Sequence, residues 1–127
     1  MSAEQQIRQA QRRIHQADVM MGEAAQLDDI AVQLMTVQRY WNAPTRATHL
    51  TAALAASRDV WHGIQTELAE GTLALPLEVQ QNLLILSVYA DSKISACETT
   101  PSTDVLGSLI ALTRTLAGSL KEWRVAA

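Results

Sequence analysis

Breakers of regular backbone are scarce in this chain and lie far apart. Five Gly and three Pro are spread over 127 residues, and most fall where a helix would end. The segments between them carry the 3.6-residue spacing of amphipathic helices and no sustained alternation. Such a chain has to bury helical stripes against one another. The expected fold is therefore all-α, a single-domain helical bundle of four to five helices with short connections. At this length one domain buries roughly two thirds of the unfolded surface.

The stripes can be followed through the chain. Ile7, Ala10, Ile14, Ala17, Met21 and Ala24 share one face, and the pattern resumes one residue out of phase at Leu27, Ala31, Leu34 and Trp41. That phase shift predicts a kink or break between Gly22 and the Asp28-Asp29 pair. Pro44 closes this region by removing a backbone donor and forcing Ala43 out of the helical well, and Thr45 is placed to cap the next helix. Leu50, Leu54, Ser57, Trp61, Ile64 and Leu68 form its stripe, ended by Gly71. Pro76 suits the first turn of a third helix reaching to about Glu98, with Glu78 complementing its dipole. Val79, Leu83, Leu86, Ala90, Ile94 and Cys97 make one stripe there, while Leu84, Ile85, Val88 and Tyr89 add a second. A helix apolar on two sides is expected to be the central, most buried element. Residues 99–103 read as a capped turn. The last helix carries Val105, Leu109, Leu112, Leu116, Leu120 and Trp123. In domain terms, 1–44 is a helical segment that is kinked or partly mobile, and 45–127 is a three-helix core.

Composition narrows the function classes. Charged residues make up 18% of the chain, against about 25% in ordinary globular domains, so some neutral or apolar surface is left over. The formal charge of −3 offers no general attraction to a polyanion, which argues against a nucleic-acid partner. The apolar run from Leu83 to Ala90 is far short of the roughly 20 residues a spanning helix needs, and the N-terminus lacks a secretory apolar region. No membrane insertion is expected, and the chain reads as cytoplasmic.

Chemistry-bearing residues are few. Cys97 is alone, so it can form no internal disulfide, and it lies in phase with Ala90 and Ile94 as a small core residue does. His15, His49 and His62 lack partners at metal-ligating spacing, apart from the weak His15 and Asp18 pair. The glycines are isolated, so no phosphate-cradling loop is present. Ser102 and Ser108 near Asp104 have no local His, and Asp104 fits dipole compensation at a helix start. No catalytic residue, metal site or cofactor is expected, and the protein reads as a non-enzyme. Arg8, Arg12 and Arg13 form a basic cluster able to touch phosphates, but no aromatic side chain interleaves with it to stack bases. It also reads as a solvated helix face.

Three blocks of residues carry a family likeness. The first is Ala52 to Trp61, containing Arg58, followed by Glu67-Leu68. The second is Leu75-Pro76-Leu77 leading into Val79, Leu83 and Leu86. The third runs from Leu109 to Leu120 through Arg114 and Gly118. In their order and spacing, from about Leu50 to Leu120, these blocks resemble the flagellar FlaF family, small helical proteins of alphaproteobacteria. The chain departs from that pattern at Ser57 and Thr113, where Asn is expected, and at Val60, where Leu is usual. Residues 87–93 also lack the Trp and the Arg-His pair often found there. The resemblance implies a role in flagellin supply: binding flagellin before its export, and acting with the regulator FlbT in control of flagellin synthesis.

On that basis the partner surface is expected on the second helix. Arg58, Trp61, Ile64 and Leu68 lie on or beside one face, and Leu75 and Pro76 shape the end of a groove. The competing reading makes Trp61 the bundle's central core residue. Two other function classes stay open: a post-transcriptional regulator contacting flagellin messenger RNA through Arg8, Arg12 and Arg13, and an adaptor that self-associates through the first helix, where eight Gln fall in the first 38 residues.

Overall fold

The computed structural model describes residues 2–71 and 75–126, with the side chains of 9–21 and 123–126 outside the description. Among the described residues there are four helices and no strand: α1 (Ala3–Arg39), α2 (Arg46–Glu70), α3 (Leu77–Thr99) and α4 (Thr103–Ala126). Helices consecutive in the chain pack on one another, and α4 closes the ring against α1. Short connections make sequential helices antiparallel, and cross-links fix the register. On the α1–α4 seam Lys121 Nζ lies 2.6 Å from Asp28 Oδ2, and Gln38 Nε2 donates to the Thr103 carbonyl. A Cβ at Gly107 would lie 3.3 Å from that same Gln38 nitrogen, so glycine leaves room for the latch. Between α2 and α3, Arg58 pairs with Glu98 and Gln65 donates to Ser87 and Asp91.

The expected break in α1 is absent. The helix opens with a reciprocal capping box between Ser2 and Gln5, which satisfies two otherwise orphaned donors. It then runs unbroken through Gly22, Asp28 and Asp29 to Arg39. A lone Gly in a helix costs about 1 kcal/mol. Leu27, Ile30, Leu34 and Val37 are all buried on the far side of it, and each contributes about 1.5–3 kcal/mol. The core is thus not confined to 45–127, because α1 supplies one of its four walls. Gln38 meets Thr103 at one end of this seam and Lys121 meets Asp28 toward the other, which at about 1.5 Å per residue ends α4 opposite about residues 15–23 of α1. Ser2 to Arg8 reach beyond it and are exposed.

Other boundaries follow local chemistry. Gly71 adopts the left-handed conformation, φ 73°, as the C-cap of α2. Ser102 Oγ accepts from the Val105 amide at the start of α4. Thr45 stands at the N-cap of α2, yet its side chain makes no capping bond. Pro76 is the N-cap of α3 rather than a residue of its first turn.

The largest correction concerns α3. Its stripe of Leu83, Ala90, Ile94 and Cys97 is buried, as expected, but Leu84, Ile85, Val88 and Tyr89 are exposed. In a ring of four helices each member touches two neighbours, so a helix can bury one broad stripe and its opposite side faces outward. Trp61 of α2 is fully buried. Three buried hydroxyls, Ser57, Ser87 and Thr113, donate back to the Ala53, Leu84 and Leu109 carbonyls at 2.7 to 2.8 Å, which satisfies them inside their own helices.

Candidate functional site

The residues expected to form a partner surface on α2 are divided by the fold. Trp61 and Ile64 are fully buried and Leu68 is nearly so, all within the apolar core. They offer nothing to a partner of the folded bundle, because the period that put them on one face turns that face inward. Trp61 takes the place that the core reading assigns it, and its indole N–H has no hydrogen-bond partner there. Arg58 lies at the α2–α3 seam, paired with Glu98. Leu75 is half-buried against the core, and Pro76 is exposed at the start of α3. In the basic cluster, Arg8 is exposed and bridges one turn back to Glu4 at 3.3 Å, while the side chains of Arg12 and Arg13 lie outside the described residues.

A concave surface is present elsewhere, between the last turns of α1 and the first turns of α2. Val32, Thr36 and Tyr40 line one side, Ala43 the connection, and His49 and Ala52 the other side of a groove of about 510 Å³. That volume lies within the range of ligand clefts. It is open where Thr36, Ala43, Thr45, Ala52 and Ala53 present small side chains, between the longer Arg46 and His49 of α2. Val32 is 62% exposed and Tyr40 56%, so the rim adds apolar surface. Arg46 is held at the mouth by stacking over Trp41, 4.4 Å from its ring centre, which gives the apolar groove a fixed cation. The sequence signal for this site was weak. Val32 falls out of phase with the α1 stripe, and Ala43, Ala52 and Thr36 are too small to attract notice by periodicity.

The outer side of α3 is the other apolar surface. Leu84, Ile85, Val88 and Tyr89 make two adjacent turns there, each between 46% and 66% exposed. Unlike the α1–α2 groove it is convex.

Neither surface holds an array suited to catalysis. Among the described residues no three His, Cys, Asp or Glu side chains gather as metal ligands. Burial pushes the Cys97 thiol up, away from the reactive thiolate. His62 and Asp91 approach at 3.6 Å on the exposed α2–α3 seam. The strongest electrostatic anomaly is structural. Glu23 of α1 is buried against Glu67 of α2; burial foremost, then the hydrogen bond and the repulsion from Glu67, raise its carboxyl to about 8. Two carboxyl groups in contact in a poorly solvated seam cannot both carry charge cheaply, so one keeps a proton and donates it to the other. No described helix is long and apolar enough to cross a membrane.

The two surfaces offer apolar side chains, and among the described residues no nucleophile is positioned by a base. No curated protein and no solved structure matches the chain. A family model described as flagellar protein FlaF matches residues 4–120, so the likeness seen from Leu50 to Leu120 extends through α1. With that match spanning nearly all of the four-helix ring, the chain belongs to the FlaF family of flagellar proteins.

Proposed function

We propose that this protein is a non-enzymatic flagellin-binding chaperone and regulator of the cytoplasm, which holds an amphipathic helix of flagellin in the α1–α2 groove before export. The observation that supports this reading most is the groove itself, an open apolar trough of about 510 Å³ with a stacked arginine at its mouth. Flagellin has long amphipathic helices at its ends that stay exposed until they polymerise. A helix docks in such a trough by inserting side chains at i, i+3 and i+4, and an acidic residue of the helix can meet Arg46. Binding energy would come from burying Val32, Tyr40 and Ala52 rather than from ion pairs, which suits a chain with 18% charged residues. Occupancy of the groove by flagellin then reports the unexported pool to a FlbT-like regulator, the second partner that the family role implies.

The test is light-scattering chromatography with flagellin of the same organism. A one-to-one complex is expected, weakened at least tenfold by Val32→Glu or Ala52→Glu, which bury a charge in the trough while touching exposed positions. The reading fails if the wild-type chain forms no complex, or if both variants bind as tightly as it does.

A further inference from the structure

The outer face of α3 has a pattern that fits one occupant in particular. Leu84, Ile85, Val88 and Tyr89 are exposed, with no charged side chain among them, and neutral Gln81 and Ser92 lie one turn before and after on the same side. A convex helix face of this kind is covered by another helix laid along it, since it offers no pocket for an isolated side chain. The order of residues is nearly symmetric about the point between Leu86 and Ser87. In an antiparallel copy centred there, Leu84 lies level with the region of the copy's Val88, Ile85 with its Tyr89, and Gln81 with its Ser92. At 1.5 Å per residue, each pair is within about 2 Å of level.

The charges at the two ends obey the same symmetry. Glu78 stands in the first turn of α3, on the side of the face that carries Ile85 and Tyr89, and Lys93 borders that same edge four turns later. A twofold axis perpendicular to the pair keeps equivalent edges together. Glu78 of one copy thus comes within about two residues, or about 3 Å along the axis, of Lys93 of the other, and the symmetry makes this happen twice. A parallel arrangement would instead set Glu78 level with Glu78 and Lys93 level with Lys93 on opposite edges, with Glu78 and Lys93 about 22 Å apart along the helix, and would form neither attractive pair. Opposite charge at both ends and apolar residues between them is the arrangement that selects antiparallel register in paired helices.

We propose that the outer face of α3 is a self-association surface, on which a second copy of this chain packs its own α3 antiparallel, with Leu84, Ile85, Val88 and Tyr89 at the centre and two Glu78–Lys93 pairs at the ends. The α1–α2 groove is left open in that dimer, on the opposite side of α2 from α3.

Sedimentation and light scattering of the full chain over rising concentration test this. The expected mass approaches twice 13.9 kDa, and Val88→Asp returns it to the monomer with an unchanged helical spectrum and the melting temperature that the wild type shows at dilutions where it is monomeric. Glu78→Lys alone and Lys93→Glu alone each weaken association by about tenfold, because each replaces two attractive pairs with two repulsive ones, and the double exchange restores it. A monomer at every concentration overturns the proposal, as does a dimer that Val88→Asp leaves intact or a double exchange no tighter than either single variant. Loss of flagellin binding in Val88→Asp with no change in its mass would assign the face to flagellin and overturn it too. Since Val32→Glu tests the groove and Val88→Asp the α3 face, failure of one reading is separable from failure of the other.

Discussion

The two ends of the α1–α2 seam are built on opposite principles. Near the connection at Pro44 the walls are Leu34 and Val37 against Leu50, Ala53 and Leu54, all buried and all apolar. At the far end, four turns away, Leu27 and Ile64 share the seam with Glu23 and Glu67. The first end is held by burial alone and is indifferent to pH. The second holds a carboxyl group that stays protonated only while its surroundings remain dry. The apolar end sits beside the groove, where the seam opens at the surface, and the carboxyl end sits toward the C-terminal end of α2. Stability at one end is therefore fixed, and at the other it depends on conditions.

The largest expected effect comes from the side chain between the two ends. Trp61→Ala empties a fully buried position and should cost about 3–5 kcal/mol, read as a fall in the urea midpoint with no change in slope. Trp61→Phe sharpens the result. It removes some volume but also the indole N–H that has no partner, and leaving such a donor buried costs about 1–3 kcal/mol. The Phe variant should therefore lose much less stability than the Ala variant. Equal losses would mean that the indole nitrogen is satisfied in solution.

The carboxyl end should reveal itself through pH. Glu23 is raised from 4.5 to about 8 in the folded chain, chiefly by burial and then by Glu67. Below 4.5 it is protonated whether the chain is folded or not. Between that value and 8 the unfolded chain gives up the proton that the folded chain keeps, so stability falls as pH rises, by at most about 1.4 kcal/mol per pH unit. Above 8 the loss is complete. Glu23→Gln keeps a donor toward Glu67 and cannot ionise, so its advantage over the wild type should grow from near zero at about pH 5 to a few kcal/mol at about pH 9. Urea unfolding of both proteins at the two pH values measures the difference, and parallel curves would remove the buried proton from the account.

The sequence conveyed the ring of helices but not which side of each faced out. Leu50 to Leu68 on α2 and Leu83 to Cys97 on α3 were legible because an inward stripe repeats every three or four residues, and burial obeyed the repeat. Leu84 to Tyr89 have the period of a second buried stripe and yet are exposed, because periodicity reports that a face is apolar and is silent on what covers it. The phase shift at Gly22 suggested a break, whereas the ladder of backbone hydrogen bonds carried α1 through it. The groove escaped notice for a different reason. It is made by what Ala43, Ala52 and Thr36 lack, and an absence of volume acquires a position only when α1 and α2 are set side by side. Glu23 and Glu67 are 44 residues apart in the chain, so nothing local announced their contact.

A smaller effect probes the interior hydroxyls. Thr113 is fully buried and donates to the Leu109 carbonyl at 2.7 Å. Thr113→Val keeps the shape and removes donor and acceptor lone pairs together, while the carbonyl retains its place in the helix ladder. Such a matched replacement is nearly neutral, so the stability change should stay within about 1 kcal/mol of zero. A larger loss would show that the hydroxyl serves a second partner across the core.

The smallest expected effect lies on the surface of the carboxyl end, where Lys121 and Asp28 meet at 2.6 Å with both side chains about half exposed. Water competes for both charges and each side chain gives up rotamer freedom, so the pair is worth about 0.2–1 kcal/mol, less in high salt. Lys121→Ala should lower stability by that amount and no more. Its interest lies in location, because the pair ties the end of α4 to α1 near the level of Glu23. If the latch helps keep water from Glu23, Lys121→Ala should also lower the pH at which the loss of stability is complete to below about 8, since a wetter carboxyl releases its proton sooner, while the onset near 4.5, set by the unfolded chain, stays where it is. In the Glu23→Gln background that shift must vanish while the small salt-sensitive loss remains. Urea midpoints of the four proteins across pH, at low and high salt, separate a latch that keeps the seam dry from a surface pair that merely happens to lie above it.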